Sequence, residues 1–174
     1  LVLTLTGERD IQRTGSARAL LRHYRRNVTS AELSPAGTAD AGAVPWRHKG
    51  GVRMKHSSSR QLHAYWDKQR GTRPAPDRAD IDPAQIRHAL GDIFILASDF
   101  VDEQRYRRAG TRICALFGRE LKGESFGSSW RAGAAQMNNM LTELTVENAG
   151  FVAGVTGRNA HGDATELELL LLPL

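Results

Sequence analysis

The stretch that decides the fold is residues 105–126, which read RYRRAGTRICALFGRELKGESF. Residues 105–113 predict a charged strand, and residues 114–126 predict short helical turns separated by Gly118 and Gly123. Upstream, residues 93–97 are a continuous apolar run of strand length, and residues 99–104 contain a turn. The sequence therefore predicts a hairpin that leads directly into small helices.

Helical patterns lie on both sides of this hairpin. Ser59 can cap a first helix, which ends at Gly71. A short second helix is expected to begin at Pro83, with Asp82 as its cap, and to end at Gly91. Its buried side is Ile86, Ala89 and Leu90. A third helix is predicted over about residues 128–147, with the core stripe Trp130, Ala134, Met137, Leu141 and Leu144.

Two further strands, residues 151–156 and 165–172, follow the third helix and are joined by a turn-rich loop. Helices, two strands, helices and two strands thus alternate along the chain. This order predicts an α+β fold with an antiparallel sheet and with helices on one face.

Length and charge restrict the function. The 174 residues suffice for one domain plus an appendage. Residues 1–53 carry nine Lys/Arg against four Asp/Glu, whereas residues 54–174 carry fifteen of each. Because a neutral domain cannot neutralise a phosphate backbone, nucleic-acid binding is not expected of residues 54–174. No apolar run approaches the roughly 20 residues of a membrane span, and a single cysteine fits a reducing compartment, so we expect a cytoplasmic protein without membrane contact.

Residues 1–53 differ in character from the rest. A stretch rich in Gly, Ala and Pro over residues 34–45 is typical of a linker. A basic helix candidate begins at Ser16, and its narrow apolar stripe is Leu20, Leu21, Tyr24 and Val28. We expect a basic arm or linker that is disordered or a non-native extension, with the natural product beginning at Met54. A helix that binds a partner or a membrane surface is the alternative.

Catalytic signatures are weak. The phosphate-binding glycine loop, the zinc-protease motif and paired cysteines are absent, and the six histidines lack metal-ligand spacing. Cys114 fits an activated nucleophile, but a single thiol with apolar neighbours is more often a packed residue. We therefore expect no metal site and no catalytic residue.

A dense charge cluster surrounds two prolines in residues 73–83, and it contains Arg73, Asp77, Arg78, Asp80 and Asp82. Such a cluster fits either a metal or acid/base site or a set of local ion pairs. We favour the pairs, because Asp82 is needed as a cap and alternating Arg and Asp can pair with each other and with the strand that carries Arg105 and Arg107.

Several of these elements resemble a bacterial family of PAS-type domains that usually occur as small stand-alone proteins. The residues that carry the resemblance are Tyr65, Trp66, Arg78, Asp80, Asp82, Pro83, Tyr106, Arg107, Gly110, Thr111, Phe117 and Gly118. The resemblance covers about residues 57–174. It implies a five-stranded antiparallel sheet and a sensory or regulatory role in signalling, exercised by binding a small molecule or a protein partner without chemistry of its own.

The resemblance also implies an interior pocket, for which the candidate lining residues are Tyr106, Arg108, Cys114, Phe117, Trp130 and Met137. Flavin photosensors of this fold carry an Asn-Cys-Arg-Phe element, which residues 114–118 lack, and haem-binding relatives take a histidine from the long helix, where residues 128–149 contain none. We expect no tightly bound cofactor, and an unidentified small ligand is compatible with this. The rival interpretations are an enzyme that uses the cysteine or the carboxylate cluster and a nucleic-acid binder that uses the basic arm.

Two departures from the family pattern lead to further expectations. Arg108 stands where the family has an apolar residue, and strict alternation with Tyr106 would direct its guanidinium into the core at a cost in stability. Residues 54–174 also provide only four strands. A carboxy-terminal truncation would explain this, and the apolar edge of residues 166–172 would then promote self-association, including a dimer. The alternative is that residues 1–5 fold back to cover the edge.

Overall fold

The computed structural model describes residues 54–97, 103–130, 134–158 and 164–174, together with the backbone of residues 2–7, 32–35 and 44–46. The strands in these residues are β1 (Val2–Gly7), β2 (Glu32–Pro35), β3 (Val44–Trp46), β4 (Ile93–Ala97), β5 (Arg105–Ala109), β6 (Gly150–Arg158) and β7 (Ala164–Leu172). The α-helices are α1 (Ser57–Arg70), α2 (Thr111–Phe117) and α3 (Ala134–Glu147).

The strands form one antiparallel sheet in the order β2-β6-β7-β1-β4-β5, and β3 also pairs with β6. The predicted α+β class with an antiparallel sheet is confirmed. The four strands expected in residues 54–174 are β4 to β7, which form two hairpins, β4 with β5 and β6 with β7.

The two hairpins are joined by β1, which lies between them. It pairs with β7 from Val2 opposite Leu172 to Gly7 opposite Leu167, and with β4 from Val2 opposite Ile95 to Thr4 opposite Ile93. The predicted open edge on β7 is therefore wrong, and the fold-back alternative describes the structure. A fifth strand is present because residues 2–7 supply it.

Two more segments of the amino-terminal region, β2 and β3, pair with β6. Together with β1, they depart from the predicted disordered arm, because their backbone groups are paired within the sheet. The rest of residues 1–53, including the helix candidate that begins at Ser16, lies outside the described residues.

Buried side chains cover both faces of the sheet. On one face, α2 and α3 pack over a core that includes Phe94, Tyr106, Phe126, Leu169 and Leu171, which we call the α3-side core. On the other face, α1 and residues 75–89 pack against the sheet. The core that they form with it includes Leu62, Trp66, Ile93, Leu170 and Leu172, and we call it the α1-side core. Helices on one face were predicted, and α1 adds a layer on the opposite face because β7 is apolar at successive positions and must be covered on both sides.

The start and the middle of α1 are both tied to β7. The Glu168 carboxylate accepts hydrogen bonds from the backbone N–H groups of Lys55 (2.6 Å) and His56 (3.1 Å). Further along the helix, the Trp66 indole N–H donates to the Pro173 carbonyl at 2.7 Å. His56, and not the predicted Ser59, occupies the cap position, since its imidazole accepts a hydrogen bond from the backbone N–H of Ser58.

The helix predicted after Asp82 is wrong. Residues 83–89 form consecutive turns followed by a 3-10 helix at Leu90–Asp92. Asp82 still acts as a local cap, because its carboxylate accepts from the backbone N–H of Ala84 at 2.9 Å. Leu90, which was assigned to the buried side, is 40% exposed.

The strand predicted over residues 105–113 ends at Ala109, because Gly110 lies against another part of the backbone. The Gly110 N–H donates to the Ile93 carbonyl at 2.8 Å, and a Cβ at this position would lie 2.2 Å from the Leu90 carbonyl oxygen. Only glycine fits this approach. The chain then enters α2 at Thr111.

A β-bulge in β5 corrects the prediction for Arg108. Leu96 pairs with Tyr106, but the next pair joins Ile95 to Arg108, so Arg107 is an extra residue. An extra residue interrupts the alternation of a strand. Tyr106 therefore points into the α3-side core while Arg108 is exposed on the other side, and the expected strain is absent.

Candidate functional site

The interior of the α3-side core contains a continuous group of aromatic rings. The ring of Phe94 lies 5.2 Å from that of Tyr106 and 5.7 Å from that of Phe126, measured between centroids. Phe126 contacts the Trp130 ring edge-on at 5.7 Å. These distances are those of favourable aromatic contacts.

Four of the six predicted pocket residues meet in this core: Tyr106, Phe117, Trp130 and Met137. Tyr106 lies in β5 and Phe117 is the last residue of α2. Trp130 follows the 3-10 helix Gly127–Ser129, and Met137 lies in the first turn of α3. Gly118 follows Phe117 in the left-handed conformation, with φ 67°, which lets α2 end there.

Trp130 precedes α3, which begins at Ala134 instead of near residue 128 as predicted. The 3-10 helix before it makes a tight turn in which the Trp130 N–H donates to the Gly127 carbonyl at 3.1 Å. The indole is only 6% exposed. The indole ring is thereby held in the core by the 3-10 helix.

A buried hydrogen bond joins the hydroxyl groups of Tyr106 and Ser129 at 2.9 Å. Burial raises the pKa of the Tyr106 phenol, so the group stays neutral at physiological pH. Sequence reasoning missed Ser129, since an isolated small polar residue gives no periodic signal of burial.

Two buried polar atoms, one on Trp130, which follows Ser129, and one on Asn138, have no hydrogen-bond partner among the described residues. They are Nε1 of Trp130, a donor, and Oδ1 of Asn138, an acceptor, and both are buried. Asn138 lies in α3 beside Gly127, where a Cβ would be 3.3 Å from its Nδ2. A buried polar group without a partner is costly, and either an ordered water or a bound molecule satisfies such an atom.

The other two predicted pocket residues lie outside the site. Arg108 is exposed because of the bulge. Cys114 is half-buried in α2, outside the α3-side core, with its sulfur 3.6 Å from the Glu120 carboxylate. Burial raises the pKa of this thiol, which disfavours the thiolate that a nucleophile needs.

The charge cluster of residues 73–83 forms local pairs, as expected, whereas Arg105 of the neighbouring strand pairs with Glu103. The Arg73 guanidinium binds Asp77 at 2.8 Å and Asp80 at 2.6 Å, and the Asp80 carboxylate also accepts from the Asp77 N–H at 2.9 Å. The hydrogen bond from Arg73 lowers the pKa of Asp80. These carboxylates are thus occupied in shaping the loop, and no group of three or more metal-ligating side chains occurs within the described residues.

The remaining family-like residues of this loop hold it against α1. The Tyr65 hydroxyl accepts from the Asp82 N–H at 2.8 Å and lies 3.4 Å from the Asp80 carbonyl. Arg78 begins the 3-10 helix Arg78–Asp80. Their role is therefore structural.

A buried ion pair between Asp92 and Arg112 was not expected from the sequence. Two guanidinium nitrogens of Arg112 bind the two carboxylate oxygens of Asp92, one of them at 2.6 Å, and the Asp92 side chain is 6% exposed. The hydrogen bond raises the pKa of Arg112. The pair ties the start of β4 to α2, and no local pattern links residues twenty positions apart.

Comparison with known proteins gives one match. The family model described as "PAS domain" matches residues 54–174, which is most of the chain. No curated protein and no solved structure matches. Separately, none of the helices in the described part of the chain has the length and apolar character needed to cross a membrane.

Proposed function

We propose, from the premise that this chain belongs to the PAS domain family, that it binds a small uncharged molecule in the α3-side core and uses this binding for signalling. A general sensory or regulatory role follows from the family. The observation that carries the finer proposal is the buried indole N–H of Trp130, which has no partner among the described residues.

The polar atoms of the site favour a particular ligand chemistry. Nε1 of Trp130 can donate to an acceptor, and Oδ1 of Asn138 can accept from a donor. The hydroxyl pair of Tyr106 and Ser129 is satisfied internally. A ligand with a hydrogen-bond acceptor, such as a carbonyl oxygen, complements the free indole N–H.

Charge on the ligand is disfavoured. This core is formed by hydrophobic residues, and the charged residue that is buried in the described part of the chain, Asp92, is paired with Arg112. An unpaired charge in such surroundings costs several kcal/mol. The aromatic rings instead supply flat apolar contact for a largely hydrophobic molecule.

The enzyme alternatives receive less support. The raised pKa of the Cys114 thiol argues against a cysteine nucleophile. The carboxylates of residues 77–82 are occupied by an arginine and by backbone N–H groups. The nucleic-acid alternative rests on the amino-terminal region, and its basic helix candidate lies outside the described residues.

The test is native mass spectrometry of the chain purified without denaturation, followed by titration with the uncharged dye Nile red. Trp130→Phe keeps an aromatic ring but removes the donor, and should weaken binding of the co-purified molecule by about fivefold, the value of one hydrogen bond of about 1 kcal/mol. Trp66→Phe is the matched control, because Trp66 lies in the α1-side core and should leave binding unchanged. Equal binding by the wild type and the Trp130 variant would refute the assigned site.

A further inference from the structure

The bulge in β5 brings two arginines to the same side of the strand. In a regular strand successive side chains alternate between the two faces, so Arg107 and Arg108 would point in opposite directions. In β5, however, Tyr106 is buried in the α3-side core and Ala109 packs against the same core. The two residues between them are Arg107 and Arg108, and both are exposed. Both guanidinium groups therefore lie away from the α3-side core, at adjacent positions of the chain.

These two arginines lack the carboxylate partners that their neighbours have. The other arginines of residues 103–130 are each paired, Arg105 with Glu103, Arg112 with Asp92 and Arg119 with Glu124. Arg107 and Arg108 form no ion pair and no side-chain hydrogen bond with any residue of the described ranges. A guanidinium carries five N–H donors in a planar arrangement that matches a carboxylate at two points. The pair is therefore open to a carboxylate from outside the domain.

The small number of unpaired charges limits the kind of partner. Residues 54–174 carry fifteen Lys/Arg and fifteen Asp/Glu, so the domain has no general excess of positive charge. Binding to DNA or RNA depends on neutralising many phosphates at once, and attachment to an anionic membrane needs a cluster of about four to eight basic residues. Two arginines match one or two carboxylates instead. A short acidic segment of a protein supplies these from neighbouring side chains.

We propose that Arg107 and Arg108 form a docking surface for an acidic segment of a partner protein. Each guanidinium binds a carboxylate of that segment through two N–H groups. The surface lies on β5, which is the last strand at its end of the sheet, so a partner reaches it without displacing another strand. It is separate from the aromatic interior, and its occupation does not depend on the ligand proposed there.

The test measures binding of a fluorescein-labelled oligoglutamate peptide to the full chain by fluorescence anisotropy at low salt, where exposed charges are least screened. An oligoglutamine peptide of the same length is the neutral reference. The double variant Arg107→Gln and Arg108→Gln removes both charges, and circular dichroism checks that it is folded. The matched control, Lys55→Gln and Lys68→Gln, removes two exposed charges at the start and in the body of α1, which packs over β1 and β7. Two strands separate β7 from β5.

The unmodified chain should bind oligoglutamate and not oligoglutamine. The arginine variant should weaken this binding about tenfold, the effect of losing two ion pairs at an exposed site, whereas the lysine control should change it by less than about twofold. Equal weakening by the two variants would indicate general charge attraction and overturn the proposal, as would an unmodified chain that binds neither peptide. If the arginine variant weakened binding of single-stranded DNA by the same factor as binding of oligoglutamate, the assignment to an acidic protein segment would be wrong.

Discussion

Gly110→Ala should destabilise the protein strongly, for a reason that is steric. The backbone of Gly110 has φ −71° and ψ 161°, which any residue can adopt. The obstacle is the Cβ, which would lie 2.2 Å from the Leu90 carbonyl oxygen and 2.4 Å from that of Gly91. Both obstructing atoms are backbone atoms, so no rotation of a side chain can make room.

The magnitude follows from what must move. Relief requires the backbone of residues 90–91 to shift by about 1 Å, and overpacking of this kind costs about 3 kcal/mol. The shift also stretches the 2.8 Å hydrogen bond from Gly110 to Ile93, for about 1 kcal/mol more. The total of about 4 kcal/mol corresponds to a fall in Tm of about 8 °C or more.

The assay is urea denaturation followed by circular dichroism, with the slope checked for two-state behaviour. Gly127→Ala is the matched control, because its Cβ would meet side-chain atoms and no backbone, with the Asn138 amide nitrogen at 3.3 Å and the Ser125 hydroxyl at 3.4 Å. The control should change the free energy of unfolding by less than about 1 kcal/mol. A loss for Gly110→Ala no larger than that of the control would refute the steric argument.

Three other outcomes follow from single contacts. Trp66→Phe should lower the free energy of unfolding by about 2 kcal/mol in denaturant titration, because the buried Pro173 carbonyl loses the indole N–H that donates to it; an unchanged midpoint would contradict this. Alkylation of Cys114 should be slower than that of a free thiol at pH 8 and should accelerate as the pH rises, since burial raises the thiol pKa; mass spectrometry of the adduct measures this, and rapid labelling at pH 7 would contradict it. Arg108→Leu should leave stability within about 0.5 kcal/mol, because the side chain is exposed, and a clear stabilisation would instead support a buried guanidinium.

Local patterns in the sequence predicted much of the fold. The apolar run at Ile93–Ala97 and the stretch ending at Leu172 are strands, and the stripe of Met137, Leu141 and Leu144 is buried. These signals are strong because burial on one or both faces of an element imposes a regular apolar spacing.

The features that were missed depend on contacts between distant residues. Nothing in Tyr106-Arg107-Arg108 indicates a bulge, which becomes visible only through the register with β4. The alternating leucines of residues 1–5 were recognisable as a strand candidate, but the sequence does not show that β4 and β7 lie apart and need a strand between them.

The candidate site was predicted to a similar extent. Trp130 was identified because it belongs to the apolar stripe of a predicted helix, and Tyr106 because it lies in the strand that carries the family resemblance. Ser129 and Asn138 were not, because a small polar residue gives no periodic signal and its burial depends on the turn before α3.

The strand β7 separates the α3-side core from the α1-side core. Leu169 and Leu171 face the aromatic interior, while Glu168, Leu170 and Leu172 belong to the side on which α1 is anchored. α1 is fastened to the end of this strand twice, near its start through Glu168 and again through the hydrogen bond from Trp66 to Pro173. Because Leu169 and Leu171 lie between these two attachments, the aromatic interior is separated from the anchors of α1 by the thickness of a single strand.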